Sequence, residues 1–330
     1  MIEVKINSRN GLREPDVMIL PNFFIVGAPK AGTDELYYDL DQHPDIYMSL
    51  LKEPCYFSSE IRLASFESSL RLQAEKAAAN TRKFLDEGMP NRRFGGIISD
   101  RGDYEKLFSR VRNEKAIGEG SVCYLWSNSA AAAIAATVPH ARIIIVLMDP
   151  SERAFQQYLK SVSDGTVGHD FRTHLKAALK HGTELSVYHP FLEFGNYFEQ
   201  VRRYLDHFPS EQIQISLYED VGADRRMWFA NVLEFLDVDK SFVPGEVEVP
   251  SKPHVPHFIG LSHALPIREI KRAIGRVIPK RFKKFAKRAI SRNDLPKLRA
   301  EDRATLVEYY REDILKLQGL IGRDLSAWLR

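Results

Sequence analysis

Cysteine is almost missing from this chain. Two thiols in 330 residues, Cys55 and Cys123, leave no material for a disulfide framework or a cysteine-built zinc site. No apolar run approaches the roughly 20 residues that a membrane-spanning helix needs. The first residues, MIEVKINSRNGLREPDV, lack the basic-then-apolar layout of a secretory signal, so a cytoplasmic location is the default expectation. A large charge of either sign is lacking too: 47 Lys and Arg against 44 Asp and Glu leave +3, too little to imply a nucleic-acid partner. No internal repeat or low-complexity tract appears. What remains, 44% hydrophobic and 28% charged, is the balance of a soluble globular protein.

Two widely separated segments carry most of the chemistry. In NFFIVGAPKAGTDELYYDL (22–40) an apolar strand at 23–26 enters a turn of small residues, Gly27 to Thr33, and then a helix expected over 34–41. In ARIIIVLMDPSERAFQQYL (141–159) the branched run 142–147 reads as a central parallel strand buried on both faces. A polar turn and a helix over 152–162 follow it. Such turns aim backbone N–H groups and a helix dipole at one point, which suits a phosphate. Two of them suit a ligand phosphorylated at both ends.

The first turn is not a Walker A loop, whose order is Gly, four residues, Gly, Lys, Ser/Thr. Here Lys30 precedes Gly32, and no hydroxyl follows a lysine to hold magnesium, which counts against a P-loop kinase. Lys30 stands where a phosphate would sit. The same string also serves as a plain strand-to-helix connection, with its lysine solvated.

Elsewhere, short strands are expected at 46–48 and 116–118, and Ile213, Ile215 and Leu217 alternate as a further strand. Helical spacing covers 129–138, 171–180, 197–207, 223–236 and 301–320, and turns are marked at 89–91 and 101–103. Strands alternating with helices imply a parallel sheet with right-handed crossovers. One domain over 22–330, behind a lead-in at 1–21, is the simplest organisation. From Arg268 to Arg292 eleven Lys and Arg face a single acid, Glu269. Segment 266–293 is either a solvated amphipathic helical pair packed on the domain or a peripheral contact with anionic lipid or an anionic acceptor.

Several segments together resemble the sulfotransferases that use 3′-phosphoadenosine 5′-phosphosulfate (PAPS), in particular their bacterial and heparan-sulfate-type branches. These are GAPKAGT (27–33), LLKEPCYFS (50–58), AIGEGSVCYL (116–125), IVLMDPSERAFQQYL (145–159), FGNYFEQVRRYLDHFPSEQIQISLYEDV (194–221) and the closing IGRDLSAWL. The resemblance runs from about residue 22 to the end. It implies an α/β fold with a P-loop-NTPase-like parallel sheet of about five strands flanked by helices. It also implies PAPS as cofactor, no metal, and in-line transfer of a sulfuryl group to a hydroxyl or amine of a small-molecule, glycan or lipid acceptor.

The resemblance also assigns residues. The loop Ala28, Pro29, Lys30, Ala31, Gly32, Thr33 and Asp34 would hold the 5′-phosphosulfate. Lys30 would sit on the bridging oxygen, and the Gly32, Thr33 and Asp34 N–H groups on the phosphate. Glu53 matches the catalytic glutamate; the competing readings are a surface glutamate paired with Lys52, or Glu119 as the base. Cys55 stands where the family has histidine. Met148 and Gln156 replace the Arg and Ser that grip the 3′-phosphate, while Arg153 is kept, or is a structural residue tied to Asp149. Lys252, His254 and His257, in a proline-broken loop, are candidates to close over the nucleotide. The departures leave open a catalytically impaired relative that binds an anionic nucleotide or acceptor without transfer.

Overall fold

A computed structural model describes residues 19–62, 68–164, 167, 170–181, 190–246 and 296–330. The strands are β1 (Phe23–Gly27), β2 (Ile46–Met48), β3 (Leu51–Lys52), β4 (Arg93–Phe94), β5 (Ala116–Gly120), β6 (Arg142–Leu147) and β7 (Ile213–Leu217). The helices are α1 (Thr33–Leu40), α2 (Ser68–Asp86), α3 (Arg101–Lys106), α4 (Cys123–Trp126), α5 (Ala130–Thr137), α6 (Pro150–Asp164), α7 (Phe171–His181), α8 (Tyr197–His207), α9 (Tyr218–Ala223), α10 (Arg225–Phe235) and α11 (Ala300–Ile321). Five strands form one parallel sheet in the order β2-β5-β1-β6-β7, and β3 pairs with β4 in a small separate sheet. The expected α/β class and strand number are therefore what the chain adopts.

The sheet centre follows from residue type. Phe23–Val26 and Ile143–Leu147 are each no more than 1% exposed, because strands covered by helices on both faces can carry branched and aromatic side chains throughout. Around them α8 buries Tyr197, Val201 and Tyr204, and α11 buries Leu306, Tyr310, Ile314 and Leu317, each at helical spacing. The alanine-rich α5 packs against α8, its small side chains allowing close approach. Asp313 of α11 ties these layers by accepting the N–H groups of Tyr197 (2.7 Å) and Phe198 (3.2 Å) at the start of α8. No helix among the described residues is long and apolar enough to cross a membrane.

Three local expectations change. The supposed turn at 101–103 is the first turn of α3, because the Asp100 carboxylate accepts the Asp103 N–H at 2.9 Å and caps a helix through Gly102. The helix expected over 223–236 is two helices: Asp224 breaks it and caps α10 by accepting the Met227 N–H at 2.9 Å. The strand expected at 116–118 is β5, which continues to Gly120. Lys252, His254, His257 and segment 266–293 lie outside the described residues.

Candidate active site

In open parallel sheets the groups that meet beyond the carboxyl ends of the strands are the ones available to a ligand. Here β1 lies between β5 and β6, with Gly27 in register with Ile145, so the turns after β1 and β6 sit side by side. The Ala28 N–H donates to the Val146 carbonyl at 2.6 Å and clamps the two turns together. That N–H is spent on the fold. Pro29 has none to offer, and the Ala31 N–H donates to the Ala28 carbonyl at 3.2 Å, so these three residues shape the loop.

The later part of the loop is built differently. Lys30 adopts φ 73° and Gly32 φ 84°, a left-handed step that turns the chain into α1. A Cβ on Gly32 would meet the Tyr218 ring at 3.2 Å, so glycine is needed both for the backbone and for the space. The first N–H groups of α1 have no carbonyl within the helix to bond, and they open the site together with the helix dipole. Thr33, at the first helical position, is buried beside them.

Four charged groups converge on this loop. Lys52 Nζ, on a side chain 3% exposed, lies 2.5 Å from Asp34 Oδ1 and 3.5 Å from Glu53 Oε1, and sits 4.7 Å over the Phe94 ring. Burial works against the Lys52 charge, but Glu53 and Asp34 outweigh it and hold the amine above its usual value. Burial likewise raises the Glu53 carboxyl; Lys52 and Lys30 oppose that shift and Asp34 adds to it. Burial lowers the Lys30 amine, and Lys160 lowers it further against the pull of Asp34 and Glu53. Lys30 is therefore a partly desolvated cation facing an acid of raised pKa. That pairing suits a leaving group that gains negative charge and an acceptor that must lose a proton.

Glu53 is not a plain surface glutamate, since its side chain is 20% exposed and its N–H donates to the Gly120 carbonyl at 3.1 Å. Its rival is sealed. Glu119 is fully buried and accepts hydroxyls from Tyr104 (2.6 Å), Ser121 (2.7 Å) and Tyr124 (3.3 Å). No acceptor can reach that carboxyl, and it holds β5 to α3 and α4. Burial pushes it up to about 7 despite those hydrogen bonds. Between the ordinary carboxylate range and that value the folded chain holds a proton that the unfolded chain releases, so stability from this group falls as pH rises through the window. We expect Glu119→Gln to narrow the difference in melting temperature between about pH 5 and pH 8. An unchanged difference would assign the slope to other groups.

On the second turn, Met148 is buried and Gln156 half-buried on α6. Arg153 meets Asp149 only through its backbone N–H, which donates to the Asp149 carbonyl at 2.9 Å; its side chain goes elsewhere. Its fully buried guanidinium bonds Gln157 and the Phe191 carbonyl, while Asp149 caps α6 and takes Arg303 at 2.5 Å. Phe191, Phe194 and Tyr197 are buried packing residues. Sequence reasoning missed Lys52 as the partner of Asp34, and it missed Lys160 and Tyr218. Lys160 follows Gln156 by four residues and so shares its helix face, a readable cue. Tyr218, at the carboxyl end of β7 and 44% exposed, had no cue beyond its place after a strand.

A model of the sulfotransferase family matches residues 21–241. The chain belongs to the sulfotransferase family. It is 25% identical over 252 residues to human carbohydrate sulfotransferase 15, covering 66% of this chain and 44% of that protein. It is 26% identical over 318 residues to human bifunctional heparan sulfate N-deacetylase/N-sulfotransferase 3, covering 94% of this chain and 31% of that protein. The sulfotransferase chain thus spans less than half the length of these curated relatives. A crystal structure of a sulfotransferase from Alicyclobacillus acidocaldarius matches with TM-score 0.67 at 30% identity, covering 94% of this chain and all (100%) of that one.

Proposed function

We propose that this chain transfers a sulfuryl group from PAPS to a hydroxyl or amine of a carbohydrate acceptor, with residues 22–330 working as one domain. The observation that carries this reading is the convergence of Lys30, Asp34, Lys52 and Glu53 at the N-terminus of α1. Family membership and relatives named for carbohydrate and heparan sulfate transfer support it.

The residues fit the donor. Gly32 supplies the left-handed step that opens α1 toward a phosphate, and the α1 N–H groups and Lys30 are all donors. PAPS supplies the sulfuryl group, with its 3′,5′-bisphosphate as leaving group. Lys30 would hold the charge that builds on the bridging oxygen as the sulfur–oxygen bond breaks, and Gly32, Thr33 and Asp34 N–H groups would fix the 5′-phosphate. Glu53 would take the acceptor proton, its raised pKa bringing it closer to a useful base near neutral pH. Lys52 would keep the Glu53 and Asp34 carboxylates from repelling each other. Met148, Gln156 and Lys160 line the side on which the 3′-phosphate would lie. Tyr218 offers a ring face beside Gly32 for the base. Lys252 and His254 remain candidates to close over the nucleotide.

Melting curves test this directly. Adenosine 3′,5′-bisphosphate is expected to raise the melting temperature, and adenosine 5′-phosphate to raise it less. Stabilisation by ATP with magnesium alone would overturn the reading.

A further inference from the structure

Cys55 and Cys123, far apart in the chain, meet beneath the candidate base. Both are free and buried, 6% and 4% exposed, and their Sγ atoms lie 3.2 Å apart. A disulfide bond is about 2.05 Å long, so an approach of about 1 Å would convert this contact into a covalent one. Cys55 lies two residues beyond Glu53, and Cys123 opens α4 just past the end of β5.

The segment around Cys55 has little slack. Glu53 and Cys55 both adopt left-handed backbone, φ 68° and 54°, and rigid Pro54 stands between them. The Cys55 N–H is held by Ser121 Oγ at 3.1 Å and the Glu53 N–H by the Gly120 carbonyl at 3.1 Å. The Cys55 thiol also points at the Glu53 carbonyl, 3.6 Å away. Drawing Cys55 Sγ onto Cys123 breaks that last contact and pulls on the short tether to Glu53.

We propose that Cys55 and Cys123 form a reversible disulfide under hydroperoxide, displacing Glu53 and shutting off transfer; the loss of transfer rests on the proposed role of Glu53. In the oxidation one cysteine sulfur attacks the peroxide, becoming a sulfenic acid and releasing one water. The second thiol sulfur attacks the sulfenic sulfur, forms the S–S bond and expels a second water. Two electrons pass from the sulfurs to the peroxide, and both thiol protons leave in water. The hydrogen bond with Cys123, together with burial, holds the Cys55 thiol well above its usual value, which slows its oxidation.

The full chain is reduced, treated with hydrogen peroxide and quenched, then read in three ways. Intact mass should fall by two hydrogens, with a peptide linking Cys55 to Cys123. Hydrogen exchange at the Glu53 segment should rise. Turnover should fall by about 10²-fold or more, as expected for loss of a base, and dithiothreitol should reverse all three. Cys123→Ala and Cys123→Ser should keep basal turnover and resist peroxide. A folded chain that forms no such cross-link, or a cross-link that leaves exchange at Glu53 unchanged, overturns the proposal. If the reduced chain transfers nothing, the functional reading fails while the switch still stands or falls by mass and exchange.

Discussion

Lys30→Ala is expected to lower turnover by at least about 10²–10³-fold, the usual cost of removing a donor aimed at developing negative charge. The fold should survive. Lys30 lies in a turn rather than in the core, and burial lowers its amine, so the ammonium is held at some cost to the folded state. Melting temperature in the absence of nucleotide should therefore stay equal or rise slightly, while nucleotide-induced stabilisation shrinks. Steady-state kinetics beside melting curves check both halves. Activity within a few-fold of wild type would remove Lys30 from the leaving-group side and leave the turn as a structural connection.

Glu53→Gln should lower turnover by about 10²–10⁴-fold with little change in nucleotide binding, the pattern of a lost general base. Glutamine is nearly isosteric, and its amide oxygen can still accept from Lys52, so the ion-pair geometry around Asp34 should persist. The pH profile is the sharper reading. Because the Glu53 carboxyl is raised, wild-type turnover should climb with pH through a value above the ordinary glutamate range. The variant should lack that limb. A change confined to the Michaelis constant for the acceptor would make Glu53 a binding residue instead.

Both experiments probe positions that are legible in the amino-acid sequence, and the reasons are local. Lys30 stands inside a run of small residues between a strand and a helix, and Glu53 inside a short Lys-Glu-Pro segment. The branched run at 142–147 is β6. Boundaries failed where a single side chain overrode the pattern, as when Asp100 capped α3 across a presumed turn and Asp224 split a presumed helix.

Period and residue type, which are properties of neighbours along the chain, were enough to dictate the parallel α/β sheet, its buried central strands and a cationic turn after the first of them. Three-dimensional packing set the charge states and the partners. Lys52 neutralises Asp34 across 18 residues, Arg303 takes Asp149 across 154, and Cys123 reaches Cys55 across 68. It also sealed Glu119 behind three hydroxyls while leaving Glu53 partly open. The two glutamates are the same residue type, each at the end of a short strand. Burial and the partners that enforce it are relations in space; they raise both carboxyls, but seal Glu119 behind its hydroxyls and leave Glu53 partly open.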